Sequence, residues 1–231
     1  MNFRNYSVPY AADDRYAKRV AYFSMEYALH QPLKIYSGGL GFLAGSHLRS
    51  AFELKQNLIG IGILWKYGYY DQSRNQDQSL NPIWMEKNYS YLEDTGIKYQ
   101  IVIHGASIWV KAYYLPPTVF NSAPLFLLST DMPENDHMSQ TICHKLYDAN
   151  VSTKLAQCIL LGVGGAKLID ELNFLFRIGR DCDMPILHIG QALFEFIPFG
   201  LQTSQGCARF SINTQTFGVI FRIMHRFLHH Q

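Results

Sequence analysis

Three closely spaced glycines, Gly38, Gly39 and Gly41, are the residues of this sequence best suited to binding chemistry. Glycine has no side chain, so the backbone N–H groups at these positions can approach a ligand closely. The first N–H groups of a helix lack partners within the helix, and the helix dipole makes that end attractive to anions. If a helix begins near Leu40, this loop forms a seat for a phosphate or another anion.

The residues around the glycines predict the elements that position them. Apolar residues with helical spacing predict one face of an amphipathic helix. They are Leu40, Leu43, Ala44, Leu48, Ala51 and Phe52. Residues 20–25 and 58–64 are apolar runs typical of buried strands. The order of strand, glycine loop, helix and strand predicts a β-α-β unit, in which ligands bind at the carboxyl ends of the strands.

The rest of the first 172 residues predicts further elements. Residues 97–103 and 108–115 are typical of a β-hairpin, residues 124–130 of a strand, and residues 137–146 and 151–171 of helices. Residues 1–19 are interpreted as a polar lead-in and residues 73–96 as a polar, turn-rich connection. The predicted fold class is α/β, with a Rossmann-like parallel sheet flanked by helices and an antiparallel hairpin excursion near 97–130.

Composition narrows the function classes. With 231 residues, 48% of them hydrophobic, the chain can bury a core, and a net charge of +2 favours neither nucleic acid nor an anionic membrane as a partner. The four cysteines lack CxxC spacing and are interpreted as reduced core residues. We find no signal-peptide pattern and no apolar run of bilayer length. These features predict a soluble, cytoplasmic protein.

The last quarter of the chain differs in composition from the rest. Residues 1–172 contain ten lysines and residues 173–231 contain none. The tail is rich in Phe and Arg and shows poor periodicity. We therefore divide the chain into a domain at 1–172 and a divergent tail at 173–231.

Other chemical interpretations of the motifs are weaker. Residues 39–44 fit G-x-G-x-x-A, but the preceding loop is long and no acidic residue ends the second strand, so NAD binding is not favoured. Residues 162–167 do not satisfy the P-loop pattern and are interpreted as a helix end packed against the sheet. Ser24 lacks the context of a hydrolase nucleophile. The histidines at 30, 47, 104, 137 and 144 lack metal-binding helical spacing to a second His or Glu. His225 and His229 are spaced i, i+4, but they lie in the divergent tail and the pair is interpreted as accidental, so no metal site is predicted.

An aromatic group follows the second predicted strand. Its members are Trp65, Tyr67, Tyr69 and Tyr70. These rings could stack on sugars, although core packing at a strand end explains them equally well. Both interpretations stay open from the sequence alone.

Six blocks within residues 15–172 form a recognisable ordered set. The blocks are Ala21-Tyr-Phe-Ser-Met-Glu-Tyr27, Tyr36-Ser-Gly-Gly-Leu-Gly-Phe-Leu-Ala-Gly45, Gly60-Ile-Gly-Ile-Leu-Trp-Lys-Tyr-Gly-Tyr-Tyr70, Leu127-Leu-Ser-Thr-Asp-Met-Pro-Glu-Asn135, Leu146-Tyr-Asp-Ala-Asn150 and Ile159-Leu-Leu-Gly-Val-Gly-Gly165. They resemble the bacterial glycogen/α-glucan phosphorylase family. Because they occur in the same order as in the family, the resemblance is more specific than any one motif.

The resemblance implies a two-domain glycosyltransferase in which phosphate attacks the terminal bond of an α-1,4-glucan and yields glucose 1-phosphate. It implies pyridoxal phosphate as the cofactor, carried on a lysine of the second half, and a possible homodimer. It places Gly38, Gly39, Leu40 and Gly41 at the phosphate and sugar, with support from neighbouring Glu26 and Ser37. Glu26 is expected to brace the loop by hydrogen bonds.

The chain departs from the family after residue 172. The family's His-Leu-Asn-Glu-type motif is replaced by Ile186-Leu-His-Ile-Gly-Gln-Ala192, and no second domain or cofactor lysine segment follows. We therefore expect a truncated or frame-shifted product that lacks the C-terminal cofactor domain and is inactive alone. Two alternatives are a nucleotide-sugar-dependent glycosyltransferase of the glycogen synthase type and a non-catalytic glucan-binding fragment.

Overall fold

A β-α-β unit lies at the centre of the structure, a computed structural model that describes residues 2–174 and the backbone of residues 188–189. Strand β1 is Val20–Phe23, helix α1 is Gly39–Glu53 and strand β2 is Leu58–Ile63. The two strands pair in parallel. All of β2 is buried, as expected for a parallel strand covered on both faces. The unit predicted from the sequence is confirmed.

Four of the remaining strands extend this unit into a mixed sheet, and the other two form a separate small sheet. The remaining strands are β3 (Asp71–Arg74), β4 (Leu80–Ile83), β5 (Glu93–Ile103), β6 (Ala106–Leu115), β7 (Leu125–Ser129) and β8 (His188–Ile189). Within the described residues, the main sheet has the order β5-β6-β7-β2-β1-β8. β7 runs parallel to β2, whereas β5 and β6 form an antiparallel hairpin against β7. The α/β fold with a hairpin excursion is thereby confirmed.

Strands β3 and β4 form a separate two-stranded antiparallel sheet. The interpretation of residues 73–96 as a polar, turn-rich connection did not include these strands. All four side chains of β3 are polar, and none of its residues is fully buried. A strand of this kind lacks the apolar alternation by which a sequence reveals a half-buried strand.

Four short α-helices follow α1 in the described part of the chain. After α1 they are α2 (Pro117–Phe120), α3 (His137–Thr141), α4 (Val151–Ile159) and α5 (Gly165–Glu171), with a π-helical turn between the last two. The predicted helix at 137–146 stops early because residues 143–146 pair with the loop after β2, where Lys66 N–H donates to Cys143 O at 2.9 Å. No helix among the described residues has the length and apolarity needed to cross a membrane.

The glycines at 162–167 lie inside a helical run, at the π-helical turn, so the prediction that they end a helix was wrong. Their packing against the sheet is as expected. A Cβ atom at Gly165 would lie 2.3 Å from Cε1 of Phe23 on β1. Glycine therefore allows this helix to contact the strand closely.

The N-terminal segment contributes to the core, which corrects its interpretation as a polar lead-in. Phe3 and Tyr6 are buried, and their rings contact Tyr114 and Phe126 edge-on. The backbone N–H of Tyr6 donates to Leu172 O at 2.9 Å. Two aromatic residues among polar neighbours give no periodic signal, so only the three-dimensional contacts reveal their role.

Tyr27 connects the two central strands. Its fully buried hydroxyl lies 2.7 Å from the carbonyl oxygen of Tyr22 and 3.0 Å from that of Ile61, so its one proton is shared between two acceptors. Burial raises the pKa of Tyr27 well above its ordinary value. We expect Tyr27→Phe to lower the free energy of unfolding by about 1–2 kcal/mol in urea titrations, because the hydroxyl bonds are lost.

The same substitution should also change the pH dependence of stability. Because the folded state keeps the Tyr27 proton above pH about 10, where an unfolded tyrosine ionises, the stability of the wild-type chain falls as pH rises further. The variant should lose stability less steeply over the same range. Equal slopes in the two proteins would show that Tyr27 is not buried in this way.

Candidate anion-binding site at the start of helix α1

The glycine loop lies at the carboxyl edge of the parallel strands. The chain leaves β1, forms a loop, and returns to begin α1 at Gly39. Two backbone hydrogen bonds close this loop: Tyr27 N–H donates to Ile35 O at 3.2 Å, and Ala28 N–H donates to Gly41 O at 2.9 Å. The first turn of α1 is therefore held beside the end of β1.

Glu26 is a buried carboxylate at the centre of this arrangement, with 2% of its surface exposed. Its Oε2 accepts hydrogen bonds from Ser37 N–H at 2.6 Å and Gly38 N–H at 3.2 Å. The Ser37 hydroxyl also lies within 3.3 Å of the carboxylate. A buried charge needs such donors, so Glu26 and the turn before α1 stabilise each other.

Tyr147 supplies a further donor to the same carboxylate. Its hydroxyl donates to Oε1 of Glu26, the oxygen opposite the one that binds the loop amides. The backbone of Tyr147 has φ of +57°, a left-handed conformation that is uncommon outside glycine. The sequence reasoning did not identify Tyr147 as a site residue. Its 121-residue separation from Glu26 leaves no local signal.

The next three N–H groups belong to the first turn of α1. Gly38 caps α1 without a side-chain hydrogen bond, and the first bond into the helix runs from Phe42 N–H to Gly38 O at 3.3 Å. Among the described residues, the N–H groups of Gly39, Leu40 and Gly41 have no hydrogen-bond acceptor. A 15-residue helix adds its dipole at this end. The arrangement can bind an anion through these three amides.

The loop glycines differ in what surrounds them. A Cβ atom at Gly38 or Gly39 would meet no atom within 4 Å, and Gly39 is exposed. A Cβ atom at Gly41 would lie 2.8 Å from Oε2 of Glu26, and one at Gly45 would lie 2.2 Å from Ala28 O. The first two glycines therefore leave space open to a ligand, whereas Gly41 and Gly45 permit close packing.

Helix α1 buries a narrower stripe than the sequence predicted. Ala44, Leu48 and Ala51 are buried, but Leu43 is 63% exposed and Phe42 is 59% exposed. The prediction that Leu43 faces the core was wrong. Phe42 and Leu43 instead form an apolar surface directly beside the three free amides.

Charged residues occupy the same edge of the sheet. Lys66, after β2, pairs with Asp131, after β7, at 2.8 Å. This hydrogen bond raises the pKa of Lys66 above its ordinary value. His144 Nε2 lies 3.8 Å from Asp131, and burial lowers the pKa of the histidine. Among the described residues, no group of three or more acidic, His or Cys side chains could hold a metal ion.

The structure assigns the aromatic residues after β2 to different environments. Trp65 is fully buried, and its indole N–H donates to Met25 O at 2.9 Å, so it belongs to the core. Tyr67, Tyr69 and Tyr70 are only partly buried. Tyr69 and Tyr70 contact each other, with ring centroids 4.5 Å apart.

Comparison with curated proteins gives relatives over much of the chain. An uncharacterised protein of Methanocaldococcus jannaschii is 49% identical over 172 residues, which cover 74% of this chain and 33% of that protein. The maltodextrin phosphorylase of Thermococcus litoralis is 33% identical over 80% of this chain and 22% of its own length. The glycogen phosphorylase of Aquifex aeolicus is 32% identical over 90% of this chain and 33% of its own length. No family model matches the chain.

The chain is a partial homologue of the glycogen and maltodextrin phosphorylases. The resemblance stated from the sequence blocks is thereby confirmed, and it is consistent with an N-terminal fragment of the phosphorylase family. The chain spans a third or less of the length of these curated relatives. A match to a phosphorylase over 90% of the chain must include part of the segment after Leu172, so the similarity is not confined to the first 172 residues.

The division of the chain at Leu172 stays a prediction, and most of the predicted tail lies outside the described residues. The roles of the loop residues in binding also stay predictions. The structure adds the geometry of this loop: Ser37, in the turn before α1, donates hydrogen bonds to Glu26.

Proposed function

We propose that this chain forms the phosphate-binding part of an α-1,4-glucan phosphorylase. In the reaction proposed, an oxygen of inorganic phosphate bonds to C1 of the terminal glucose unit and the α-1,4 C1–O4 bond breaks. The products are glucose 1-phosphate and a glucan one unit shorter, whose O4 takes up the proton of the phosphate. The observation that supports this most strongly is the set of free N–H groups at Gly39, Leu40 and Gly41, beside a turn held by a buried carboxylate. The names of the phosphorylase relatives support the same reaction class.

The residues of this chain would act by positioning and electrostatics. The amide donors are fixed before the ligand arrives, so they can stabilise negative charge with little reorganisation. Glu26 already accepts bonds from Ser37, Gly38 and Tyr147, so we assign it to positioning rather than to proton transfer. The exposed Phe42 would shield one side of the bound anion from water.

In the proposed enzyme, pyridoxal phosphate is carried by a lysine of the second half, which the family resemblance implies. The free amides suit a phosphate group. Lys66, which follows β2 at this edge, does not suit a Schiff base, because its bond to Asp131 favours the protonated amine.

Three further features belong to the proposal. We expect the chain alone to be inactive, because the cofactor lysine implied by the family lies in a second half. The proposed partners are an α-glucan and phosphate, and a homodimer is the expected assembly of an intact enzyme. The proposed place of action is the cytoplasm.

A titration of the ¹⁵N-labelled chain with inorganic phosphate tests the proposal. We expect saturable amide shifts at Gly39, Leu40 and Gly41, and no glucose 1-phosphate when glycogen, phosphate and pyridoxal phosphate are added together. A parallel titration with ADP-glucose tests the nucleotide-sugar alternative. Shifts with ADP-glucose and none with phosphate would replace the proposed function by that alternative.

A further inference from the structure

A cavity lies at the far end of helix α1 from the glycine loop. It forms where the N-terminal segment, the last turn of α1 and the start of α2 meet, and we call it the junction cavity. Because an α-helix rises about 1.5 Å per residue, Phe52 at this end lies roughly 20 Å along α1 from Gly39. The junction cavity is therefore separate from the candidate phosphate seat.

The walls of the junction cavity are mostly apolar and rigid. Its volume is about 460 Å³, within the range of about 300–1,000 Å³ for small-molecule pockets. Three proline and three aromatic residues form these walls: Pro9, Tyr10, Phe52, Tyr114, Pro116 and Pro117. Such side chains have few rotatable bonds, so they lose little conformational entropy when a ligand binds. Walls of this kind suit a ligand with an aromatic ring.

Contacts within the protein hold the aromatic walls in place. The rings of Tyr10 and Phe52 meet edge-on at 80°, with centroids 5.4 Å apart. The Tyr10 hydroxyl donates to Gln56 O at 2.8 Å. Tyr114 is buried, and its hydroxyl lies 3.2 Å from the hydroxyl of Tyr6. The apolar part of the cavity is therefore formed before a ligand arrives.

Two exposed side chains of opposite charge also line the junction cavity. Lys55 follows the end of α1, and its ammonium nitrogen lies 4.1 Å from the ring centroid of Phe52. Glu93 begins β5 and is paired across the strands with Tyr114. Within the described part of the chain, neither Lys55 nor Glu93 forms an ion pair, either with the other or with a third residue. The cavity therefore offers both a cation and a carboxylate to a ligand.

The two charges together indicate the chemical class of the ligand. A ligand with only negative charge would be repelled by Glu93, and one with only positive charge would be repelled by Lys55. A neutral ligand would leave both charges without a partner. A zwitterion can pair with both side chains while its apolar part contacts the rings and prolines. Aromatic amino acids and short peptides with an aromatic side chain have this chemistry.

We propose that the junction cavity binds a small zwitterion with an aromatic ring, the chemistry shared by a free aromatic amino acid and a short aromatic peptide. Lys55 binds the carboxylate and Glu93 binds the ammonium group, while Tyr10 and Phe52 contact the ring. Such a ligand is neither a substrate nor a product of the proposed phosphorylase reaction. The proposal therefore goes beyond that function and does not depend on it.

Titration of the ¹⁵N-labelled full chain with L-phenylalanine and, separately, with glycyl-phenylalanine tests this proposal. We expect saturable amide shifts at Phe52, Lys55 and Glu93. The zwitterion that binds more tightly shows whether the source is an amino acid or a peptide. Phenethylamine and 3-phenylpropionate each keep the ring and one charge, and they should bind severalfold more weakly.

Two charge-removing variants assign the role of each side chain. Lys55→Gln should weaken binding of the zwitterions and of 3-phenylpropionate severalfold, without weakening binding of phenethylamine. Glu93→Gln should weaken binding of the zwitterions and of phenethylamine, without weakening binding of 3-phenylpropionate. Exposed ion pairs are worth about 0.2–1 kcal/mol, so we expect no larger effect from either variant. Lys154→Gln, on α4 and outside the cavity, is the matched control and should bind like the wild-type chain.

Each outcome decides the proposal independently of the phosphate seat, because the expected shifts lie at the opposite end of α1. The absence of saturable shifts with both zwitterions overturns it. Equal affinity of the wild-type chain for the zwitterions and for the two singly charged probes also overturns it, since the apolar walls alone would then explain binding. Unchanged zwitterion affinity in both Lys55→Gln and Glu93→Gln has the same consequence. If circular dichroism shows that a variant misfolds, the four probes on the wild-type chain decide the proposal.

Discussion

Gly45→Ala is expected to destabilise the chain by about 3 kcal/mol or more, although alanine is normally the better helix former. The added Cβ atom would lie 2.2 Å from the carbonyl oxygen of Ala28 and 2.6 Å from its carbon. Both are backbone atoms, and Ala28 is held by its bond to Gly41 O. Helix α1 would have to move away from the loop, which would also displace the free amides. Urea unfolding measures the loss.

Gly39→Ala is the matched control for this prediction. It adds the same methyl group to the same helix, where no atom lies within 4 Å of the new Cβ. We expect this variant to be neutral or more stable by up to about 1 kcal/mol. If the two alanine variants had equal stability, the close approach of α1 to the loop at Ala28 would be wrong.

The second large effect is expected for Glu26→Ala, which should cost roughly 3 kcal/mol of stability. Removing the carboxylate leaves the N–H groups of Ser37 and Gly38 and the hydroxyl of Tyr147 without their acceptor. Each partly buried donor that loses its partner costs about 1–3 kcal/mol, less where water can replace the carboxylate. The amides of Ser37 and Gly38 should also exchange hydrogen faster.

Tyr147→Phe tests the contribution of the Tyr147 hydroxyl separately from that of the Glu26 carboxylate. This variant removes one hydroxyl and leaves the bonds from Ser37 and Gly38 to Glu26 in place, so we expect a loss of about 1 kcal/mol. Amide exchange at Ser37 and Gly38 should change less than in Glu26→Ala. Unchanged exchange of these amides in Glu26→Ala would show that the carboxylate does not hold the turn.

The central β-α-β unit could be predicted because its signals are local. Apolar runs mark β1 and β2, helical spacing marks α1, and the glycines mark the turn between strand and helix. The hairpin of β5 and β6 was also predictable, since two apolar runs flank a short turn at His104–Gly105. These elements place the loop at the carboxyl edge of the sheet.

The features that sequence reasoning missed depend on contacts between distant residues. Tyr147 reaches Glu26 across 121 positions, and Tyr6 packs on Tyr114 across 108. The helical and strand periodicities of a sequence relate only residues that are close in the chain, so they cannot reveal such pairs. One local signal did exist for the close packing of α1: Gly41 and Gly45 are four residues apart, so they lie on the same helix face.

The binding role of the loop amides is the central claim, and Gly39→Pro tests it most directly. Proline is tolerated at the first helical position, and it removes one N–H donor while leaving the rest of α1 intact. We predict that Gly39→Pro binds inorganic phosphate at least tenfold more weakly than Gly39→Ala, with both variants as stable as the wild-type chain. Equal phosphate affinities in the two variants would contradict the account, because the amide of Gly39 would then have no part in binding.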